Sequence, residues 1–401
     1  METTLETYLV GGAVRDRLLG IEVRDRDYVV VGATAEQMKA LGFRQVGADF
    51  PVFLHPATRE QYALARTERK VGAGYHGFSV DFSPLVTLED DLRRRDLTIN
   101  ALAEDEAGEI IDPYGGLKDI QARKLRHVSQ AFKEDPVRIL RTARFAARFA
   151  NLGFEIAAET QALMAEMVRA GEASHLVTER VWQEWADALA DHDPRRFIQE
   201  LRHCGAYAIL VPELEQLYAI HPGVNSGSAG ELGERALAIA TTLTDSAEIR
   251  FAALVCTSVM ATSFPPAQAD AWIERLCRRL AVPKSWQQLT GLATAHQTHC
   301  HQAEKLDGES LLQLLESTDA FRRPERFDRL LLTCQASLIA LEHPSGQPSV
   351  YPQADYLKQS LALAAAVPVT PLLEKGLRGE AIKEALHNAR LDALKTGLEI
   401  N

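Results

Sequence analysis

The stretch YLVGGAVRDRLLGIEVRDRDYVVV, residues 8–31, decides the fold of the first part of the chain. An apolar run ends at Gly11 and Gly12, a helical segment follows, and a second apolar run begins at Asp27. This alternation predicts a strand, a glycine turn, a helix and a second strand. Glycines between a strand and a helix let backbone N–H groups approach a phosphate closely, and Arg15 lies one turn into that helix. A tight turn without a bound phosphate has the same sequence pattern. The prediction of a phosphate site therefore depends on the order of the elements: strand, glycines, helix and second strand.

Two carboxylates, Asp25 and Asp27, stand two positions apart where the second strand begins. Side chains at this spacing point to the same face of a strand, where like charges repel unless a cation lies between them. Oxygen ligands of this kind suit Mg²⁺, which takes one or two carboxylates and completes its shell with water and phosphates. The alternative is a solvated strand end with Arg24 and Arg26 on the other face. The pattern alone leaves both interpretations open.

The composition of the chain is that of a globular protein. It has 401 residues, 46% of them hydrophobic and 25% charged, and this length predicts two or three domains. We expect no membrane span and no targeting segment, and hence a cytoplasmic protein. Five cysteines without a CxxC pair predict reduced, buried thiols. The net charge of −11 excludes a surface coated in basic groups, although it does not exclude nucleic acid.

Strand patterns fill the first part of the chain and nearly vanish after Glu134, where apolar residues recur at helical spacing. Thr34 is predicted to cap a helix. The glycine-rich residues 70–78, KVGAGYHGF, predict a mobile loop. Residues 112–119, DPYGGLKD, predict a domain boundary, and residues 221–233, HPGVNSGSAGELG, predict a linker between helical parts. The organisation is an α/β head followed by an all-α body.

A basic segment, RRRDLTIN at residues 93–100, places Arg95 and Asp96 at a predicted helix start. Arginine suits forked contacts with phosphate, and an aspartate can accept a hydrogen bond from a ribose hydroxyl. A solvated basic turn is the alternative interpretation.

The segment EDPVRILRTARFAAR, residues 134–148, predicts a helix that starts at Asp135 and Pro136. One side of this helix carries arginines without interleaved acids, which repel one another at this spacing. The arginines on that side are Arg138, Arg141, Arg144 and Arg148. The opposite side is apolar, with Ile139, Leu140, Ala143, Ala146 and Ala147. We therefore expect an anion against the arginine side, in preference to a merely solvated face.

Taken together, these segments resemble a known family. The motifs are GGAVRD, RDRDYVV, RRRDLTINAL, DPYGGLKDI, EDPVRILRTARF and TERVWQE. In this order they resemble the signature motifs of bacterial class II tRNA nucleotidyltransferases, which are the CCA-adding enzymes and their poly(A) polymerase relatives. The resemblance is close over residues 8–215, recurs near the C-terminus in YPQADYLKQ and GLRGEAIKEAL, and is weak over residues 220–345.

The resemblance implies an α+β protein with three parts. Residues 1–125 would form a catalytic polymerase-β-like nucleotidyltransferase head, a mixed sheet with helices. Residues 126–220 would form a helical neck that contains the nucleotide pocket. Residues 221–401 would form an all-α body and tail that bind tRNA. The chain would be a monomer or a homodimer.

The resemblance also assigns roles to residues of the motifs. Asp25 and Asp27 would be catalytic and would hold Mg²⁺, with Glu68 as a candidate third carboxylate. Gly12 and Arg15 would contact the triphosphate. The other nucleotide-binding residues would be Arg95, Asp96, Asp135, Arg138, Arg141 and Arg144, and the segment TERVWQE would be a structural helix outside the site.

The implied chemistry is nucleotide transfer without a nucleic-acid template. The tRNA 3′-hydroxyl attacks the α-phosphate of CTP or ATP, and pyrophosphate leaves. Cytosine and adenine each present an NH₂ donor beside a ring-nitrogen acceptor. Asp135, as an acceptor, and Arg138, as a donor, would match both bases and mismatch uracil and guanine. Each unpaired buried group would cost about 1–3 kcal/mol.

Three features depart from the family pattern or imitate a metal site. Cys256 and Thr257 stand where many relatives carry the His-Asp pair of a phosphohydrolase domain, so we expect no such activity. The pair His192–Asp193 lies in the predicted neck instead. The segment HQTHCH, residues 296–301, has no second ligand cluster at a zinc spacing, and we expect a polar helix surface there.

Three functions remain open at this point. Full CCA addition is favoured by the complete glycine-rich loop at residues 70–78, which such relatives use to switch from CTP to ATP. The alternatives are a poly(A) polymerase or a partial CC- or A-adding enzyme, and an inactive RNA-binding relative. Retention of both aspartates and the pocket arginines speaks against the last. The expected partners are the tRNA 3′ end, ATP and CTP, with binding that weakens as salt rises.

Overall fold

The computed structural model describes residues 5–46, 52–70, 78–223, 227–342 and 350–398. The chain divides into two compact units, Met1–Leu210 and Val211–Asn401. In the described part, no helix has the length and apolar character needed to cross a membrane.

A seven-stranded mixed sheet forms the centre of the first unit. Its order is β3-β4-β5-β2-β1-β8-β9, in which β2 and β5 are parallel and the other neighbours are antiparallel. The pairs β6-β7 and β10-β11 lie outside it. The strands are β1 (Glu6–Val10), β2 (Asp27–Val31), β3 (Arg44–Val46), β4 (Val52–Leu54), β5 (Gln61–Leu64), β6 (Thr67–Lys70), β7 (Phe78–Asp81), β8 (Ala103–Glu104), β9 (Ile110–Ile111), β10 (Lys124–Leu125) and β11 (Glu155–Ile156). The predicted mixed-sheet head is confirmed.

Nine helices complete the described part of the first unit. They are α1 (Gly12–Leu18), α2 (Ala35–Ala40), α3 (Leu88–Arg93), α4 (Gly116–Ala122), α5 (Val137–Arg148), α6 (Ala158–Arg169), α7 (Thr178–Ala190), α8 (Pro194–His203) and α9 (Ala206–Leu210). Short 3-10 helices span Thr98–Asn100, Gln130–Glu134, Ala150–Leu152 and Glu172–His175. Thr34 caps α2 as predicted, in a reciprocal capping box with Gln37.

Strand pairing brings the motif residues to one place in the sheet. Asp27 pairs with Val10, the residue before the glycine turn, and with Gln61 on its other side. The apolar side of α5 packs inward, with Ile139 and Leu140 fully buried, so its arginines face other polar groups. The sheet and α5 together therefore bound the candidate site.

The second unit is entirely helical in its described part, as predicted. Its helices are α10 (Pro212–Glu215), α11 (Ala229–Leu243), α12 (Ala247–Met260), α13 (Pro266–Arg279), α14 (Lys284–His301), α15 (Gly308–Ser317), α16 (Pro324–Glu342), α17 (Pro352–Ala365), α18 (Thr370–Glu374) and α19 (Glu380–Leu398). Two 3-10 helices span Gln216–Ala219 and Ala303–Lys305. A core cluster of the described residues joins α12 and helices α14 to α17, and includes Cys300 and Cys334.

Two sequence expectations are corrected by these boundaries. The predicted linker at 221–233 is wrong from Ala229 onward, because Ser228 and Glu231 form a capping box that starts α11. The break between compact units falls after Leu210, ahead of that linker. Of residues 112–119, the first four join β9 to α4 and the last four begin α4, so no domain boundary lies there and the whole segment belongs to the first unit. All five cysteines are free and buried, which confirms the prediction about the thiols.

Candidate active site

The glycine turn lies where β1 passes into α1. Gly11 has φ 71°, a left-handed conformation that favours glycine, and its N–H donates to the carbonyl of Leu102 at 3.0 Å. A methyl group at Gly11 would lie 2.6 Å from Nη1 of Arg95. Because Arg95 of the RRRD motif lies against this turn, there is no room for a side chain at Gly11.

Arg15 lies in a buried environment, whereas direct contact with a phosphate needs an accessible side chain. Its side chain is buried, with 3% of the residue exposed, and its guanidinium lies 5.1 Å from the ring centres of both Phe145 and Phe149. It donates to Asp16 at 2.8 Å and to the side-chain oxygen of Asn100. In this conformation Arg15 fastens α1 to α5 beneath the glycine turn.

Asp25 and Asp27 line one open cleft of about 280 Å³. The cleft is lined by Arg24, Asp25, Arg26, Asp27, Thr58, Arg59, Glu60 and Gln61. The strand starts at Asp27, so Asp25 reaches the cleft from the preceding irregular segment and not from a strand position as expected. Both residues are exposed.

The repulsion between Asp25 and Asp27 favours a cation between them, although three arginines balance the total charge of the cleft. Desolvation by the surrounding protein raises the pKa of Asp27, the positive charge of Arg95 opposes that change, and the negative charge of Asp25 adds to it. A cation between the two carboxylates would relieve this repulsion, and two carboxylates suffice for Mg²⁺ when water and phosphate complete its shell. Glu60 also lines the cleft, but among the side chains that the structure describes no group of three carboxylate, histidine or cysteine side chains is placed to hold a metal ion. The side chain of Glu68 lies outside that described set.

Arg95 is held in position by a buried carboxylate that the sequence motifs did not indicate. Asp91, fully buried, accepts from Arg95 Nη2 at 3.1 Å and from Arg94 Nη2 at 2.7 Å. It also accepts the backbone N–H of Arg66, just before β6. Burial alone would raise the pKa of Asp91, but the charges of Arg94 and Arg95 lower it below its ordinary value. The available signal was an acidic residue one helical turn before the arginines.

Asp96 joins the RRRD motif to α5. Its Oδ2 accepts from Arg141 Nε at 2.8 Å, and its Oδ1 accepts from Asn100 Nδ2 and the backbone N–H of Leu97, both at 2.9 Å. Burial would raise the pKa of Asp96, but the Arg141 charge and these hydrogen bonds hold it well below its usual range. Asn100 also contacts Arg15, so one amide links the two motifs.

The arginine side of α5 does lie against anions, as expected, and these anions belong to the protein. Arg141 meets Asp96, Arg144 Nε donates to Glu184 at 2.6 Å, and Arg148 Nη2 donates to Asp16 at 2.9 Å. The solvated-face alternative is thereby excluded.

Asp135 and Arg138 lie at the start of α5. Asp135 Oδ1 accepts the N–H of Val137 at 3.0 Å, and its carboxylate also contacts Arg180 on α7. The helix begins at Val137 with Pro136 as its N-cap, so the predicted start at Asp135 and Pro136 is one residue too early. Arg138 donates to the carbonyls of Ala131 at 2.6 Å and Arg94 at 2.5 Å. Both side chains are thus fixed at the junction of the RRRD segment and α5.

The helix of the TERVWQE motif, expected to be only structural, contacts residues of the candidate site. This helix, α7, presents Arg180 to Asp135 and Glu184 to Arg144, four positions apart on one face. The signal in the sequence that could have identified Arg180 and Glu184 is their opposite charge at a spacing of four residues. Of the predicted residues, Asp96 and Arg141 are in direct contact, Asp27 and Arg95 interact electrostatically, and Arg144 is bound by Glu184.

Two other predictions concern places in the first unit outside this site. Of the loop 70–78, residues 71–77 lie outside the described residues; Lys70 and Phe78 pair as the ends of β6 and β7. Asp193 caps α8 and pairs with Arg195, a structural role for the His-Asp dipeptide.

In the second unit, Cys256 and Thr257 are fully buried in α12. The HQTHCH segment forms the end of α14. No metal cluster forms among its described side chains, but Cys300 is buried, so the expected polar surface is only partial.

Two family models match this chain, and known proteins align with nearly its whole length. The model of the poly A polymerase head domain matches residues 7–126, and that of the probable RNA and SrmB-binding site of polymerase A matches residues 153–217. The chain is 50% identical to the multifunctional CCA protein of Thioalkalivibrio sulfidiphilus, and 50% identical to that of Nitrosococcus oceani. Each alignment covers 98% of both chains.

Solved structures agree with the fold. The CCA-adding enzyme of Bacillus stearothermophilus in complex with CTP matches with a TM-score of 0.68 and 25% identity, over 98% of this chain and 89% of that one. The CCA-adding enzyme of Thermotoga maritima complexed with tRNA matches with a TM-score of 0.64 and 21% identity, over 98% and 91%.

Proposed function

Because the chain belongs to the bacterial class II tRNA nucleotidyltransferases, the family of the multifunctional CCA proteins, we infer that it adds CCA to tRNA 3′ ends. It uses CTP and ATP and releases pyrophosphate. The observation that carries this conclusion is a connected set of electrostatic and hydrogen-bonded interactions in the first unit. It runs from Asp27 to Arg95, and from the neighbouring Asp96 through Arg141 to α5.

We propose that Asp25 and Asp27 hold Mg²⁺. When bound, this ion would lower the pKa of the attacking hydroxyl and neutralise charge on the leaving pyrophosphate. The two carboxylates fit it because they share one open cleft and repel each other in its absence. The new bond joins the tRNA 3′-oxygen to the α-phosphorus, the bond to pyrophosphate breaks, and the hydroxyl proton is lost.

We propose that the nucleotide lies between the glycine turn and α5. Gly12 and Arg95 contact the triphosphate, and Arg95 is aimed over the turn by Asp91. The buried Arg15 supports this turn from beneath and completes the phosphate pocket by its charge. Asp96 has one acceptor position left on Oδ2 for a ribose hydroxyl.

Asp135 and Arg138 are proposed to read the base, while Arg141 and Arg144 line the pocket. An ionised Asp135 accepts from the exocyclic NH₂ of cytosine or adenine, and Arg138 donates to the adjacent ring nitrogen. Uracil and guanine would place a carbonyl and an N–H there, so each mismatch costs about 1–3 kcal/mol. Protein side chains thereby replace a template.

The remaining assignments follow the three-part division, which we retain as a proposal: a head over residues 1–125, a neck over 126–220, and a body and tail over 221–401. tRNA is the partner of the enzyme, and we propose that the body and tail contact its backbone. We further propose a cytoplasmic monomer or homodimer.

An extension assay tests this function directly. tRNA that lacks its last three nucleotides is incubated with Mg²⁺ and labelled CTP and ATP, separately and together. The expected product grows by C, C and A and stops, and Asp25→Ala and Asp27→Ala abolish growth. A stop after two C residues indicates a partial enzyme, and a long A ladder indicates a poly(A) polymerase. tRNA binding without extension would contradict an enzymatic function.

A further inference from the structure

Arg180 on α7 binds the carboxylate of Asp135 with both terminal nitrogens. Nη2 lies 2.9 Å from Oδ2, and Nη1 lies 3.3 Å from Oδ1. The two side chains are 37% and 25% exposed, so the contact is at the edge of the site and only partly screened by water. A forked contact of this kind fixes the plane of a carboxylate as well as its position.

The carboxylate of Asp135 also accepts a backbone N–H at the start of α5. Oδ1 of Asp135 accepts the N–H of Val137 at 3.0 Å in addition to its contact with Arg180. A carboxylate offers about four acceptor positions, two on each oxygen. Oδ1 is thus occupied by structural donors, and Oδ2 keeps a position beside Arg180. Capping and base recognition therefore do not compete, since they use different oxygens of one side chain.

A second pair on α7 supports the arginines that follow. Glu184, one helical turn beyond Arg180, accepts from Arg144 Nε at 2.6 Å and lies 3.9 Å from Arg141 Nη1. It is buried, so its charge acts on these arginines with little screening. The face of α7 thus contacts both Asp135 and the two arginines proposed to line the nucleotide pocket.

We propose that Arg180 determines nucleotide specificity as a positioning residue, by holding Asp135 Oδ2 toward the exocyclic amino group of the incoming base. This inference rests on the proposed function and on the base-reading role of Asp135. When Arg180 is lost, the carboxylate is held only through Oδ1 and turns about its last torsion. Its Oδ2 then accepts less well from the amino group of cytosine or adenine. It also no longer faces the carbonyl of uracil or guanine, so the repulsion that rejects these two bases is lost.

The test measures kcat/KM for CTP and UTP on tRNA that lacks CCA, for the wild type, Arg180→Lys and Arg180→Gln. The lysine keeps the charge but loses the fork, and the glutamine keeps an NH₂ donor group but loses the charge. The matched control is Arg195→Lys. Arg195 pairs with Asp193 at the start of α8, at 2.9 and 3.0 Å, in the same kind of forked contact away from the site.

We expect the preference for CTP over UTP to fall about tenfold or more in both Arg180 variants and to stay unchanged in Arg195→Lys. The preference of ATP over GTP at the third addition should fall in parallel. A uniform loss of rate at unchanged preference in both Arg180 variants would overturn the inference, since a merely structural role has that effect. Failure of the wild type to add CCA would instead contradict the proposed function. Because the preference is a ratio, partial unfolding does not affect it.

Discussion

Asp96 and Arg141, 45 positions apart in sequence, form a hydrogen-bonded ion pair in which Arg141 Nε lies 2.8 Å from Asp96 Oδ2. This contact joins the RRRD motif of the sheet-bearing segment to the arginine side of α5. The proposed phosphate contacts and the proposed base readers therefore belong to one framework. A nucleotide held at both ends by this framework would be placed without help from a template strand.

Loss of Arg141 should destabilise the first unit. Arg141→Met leaves the buried Asp96 carboxylate without its main counter-charge, which costs about 2 kcal/mol after allowance for the partly exposed arginine. The Asp96 pair stabilises the fold above the unfolded pKa of about 4 and stops doing so as pH falls through the lower folded value. Urea unfolding at pH 7 checks the first point, and unfolding midpoints measured in steps from about pH 5 down to about pH 2 check the second. Arg169→Met, on the exposed face of α6, serves as the control, and equal unfolding midpoints for the two variants would refute the prediction.

The glycine turn should not tolerate a side chain at Gly11. Gly11→Ala adds a methyl group 2.6 Å from Arg95 Nη1 and places it on a left-handed residue. Gly20 also has a positive φ, 69°, and no described atom lies within 4 Å of a methyl group added there, so Gly20→Ala tests a positive φ without a collision. We expect kcat/KM for CTP to fall at least tenfold in Gly11→Ala and little in Gly20→Ala. Similar losses in both variants would show that Arg95 does not matter there.

Asp91 should act on the nucleotide through Arg95. Asp91→Asn removes the charge that holds Arg95 and Arg94, while the similar shape keeps the core packed. We expect KM for CTP to rise several-fold more than kcat falls. Steady-state kinetics check this against Glu89→Gln, an exposed acid on the same helix. An unchanged KM in Asp91→Asn would mean that Arg95 keeps its position without this carboxylate.

A pH effect on stability is expected at the end of α7. Burial raises the pKa of Asp191 to about 7, the charges of Arg144 and Arg148 oppose this change, and Asp187 and Glu184 add to it. A folded pKa above the unfolded value of about 4 means that the folded state binds the proton more tightly. Stability should therefore fall as pH rises from about 4 to about 7 and then level off.

Asp191→Asn should remove that slope. Thermal unfolding of both proteins at closely spaced pH values gives the difference curve, in which the wild type loses stability relative to the variant between about pH 4 and about pH 7. A difference that stays constant over this range would refute the assignment.

The fold was predictable where the local pattern and the tertiary contacts agree. The strand that begins at Asp27 is a continuous apolar run that pairs on both sides, so its character and its ends are visible in the sequence. Short strands such as β8 and β9 have only two residues each and no period to detect. The start of α11 was missed because glycine and serine residues at 227–230 outweighed a capping box that only Ser228 and Glu231 reveal.

The site was predictable to the extent that its residues are consecutive in motifs. Sequence indicated that anions lie against the arginines of α5 but could not name them, because Asp16, Asp96 and Glu184 come from three distant segments. It also could not show that Arg15 is buried against the rings of Phe145 and Phe149. Burial and partner choice depend on how these segments pack, which no single motif records.

The central claim is that protein side chains choose the nucleotide, and Asp135 is its most direct test. Asp135→Asn replaces a pure acceptor by an amide that can donate or accept. Asp193→Asn is the matched control, since Asp193 also accepts a backbone N–H at a helix start and pairs with an arginine. The measurement is the ratio of kcat/KM for CTP and UTP on tRNA that lacks CCA. A fall of about tenfold or more in Asp135→Asn alone is predicted. An unchanged ratio in Asp135→Asn would contradict the account.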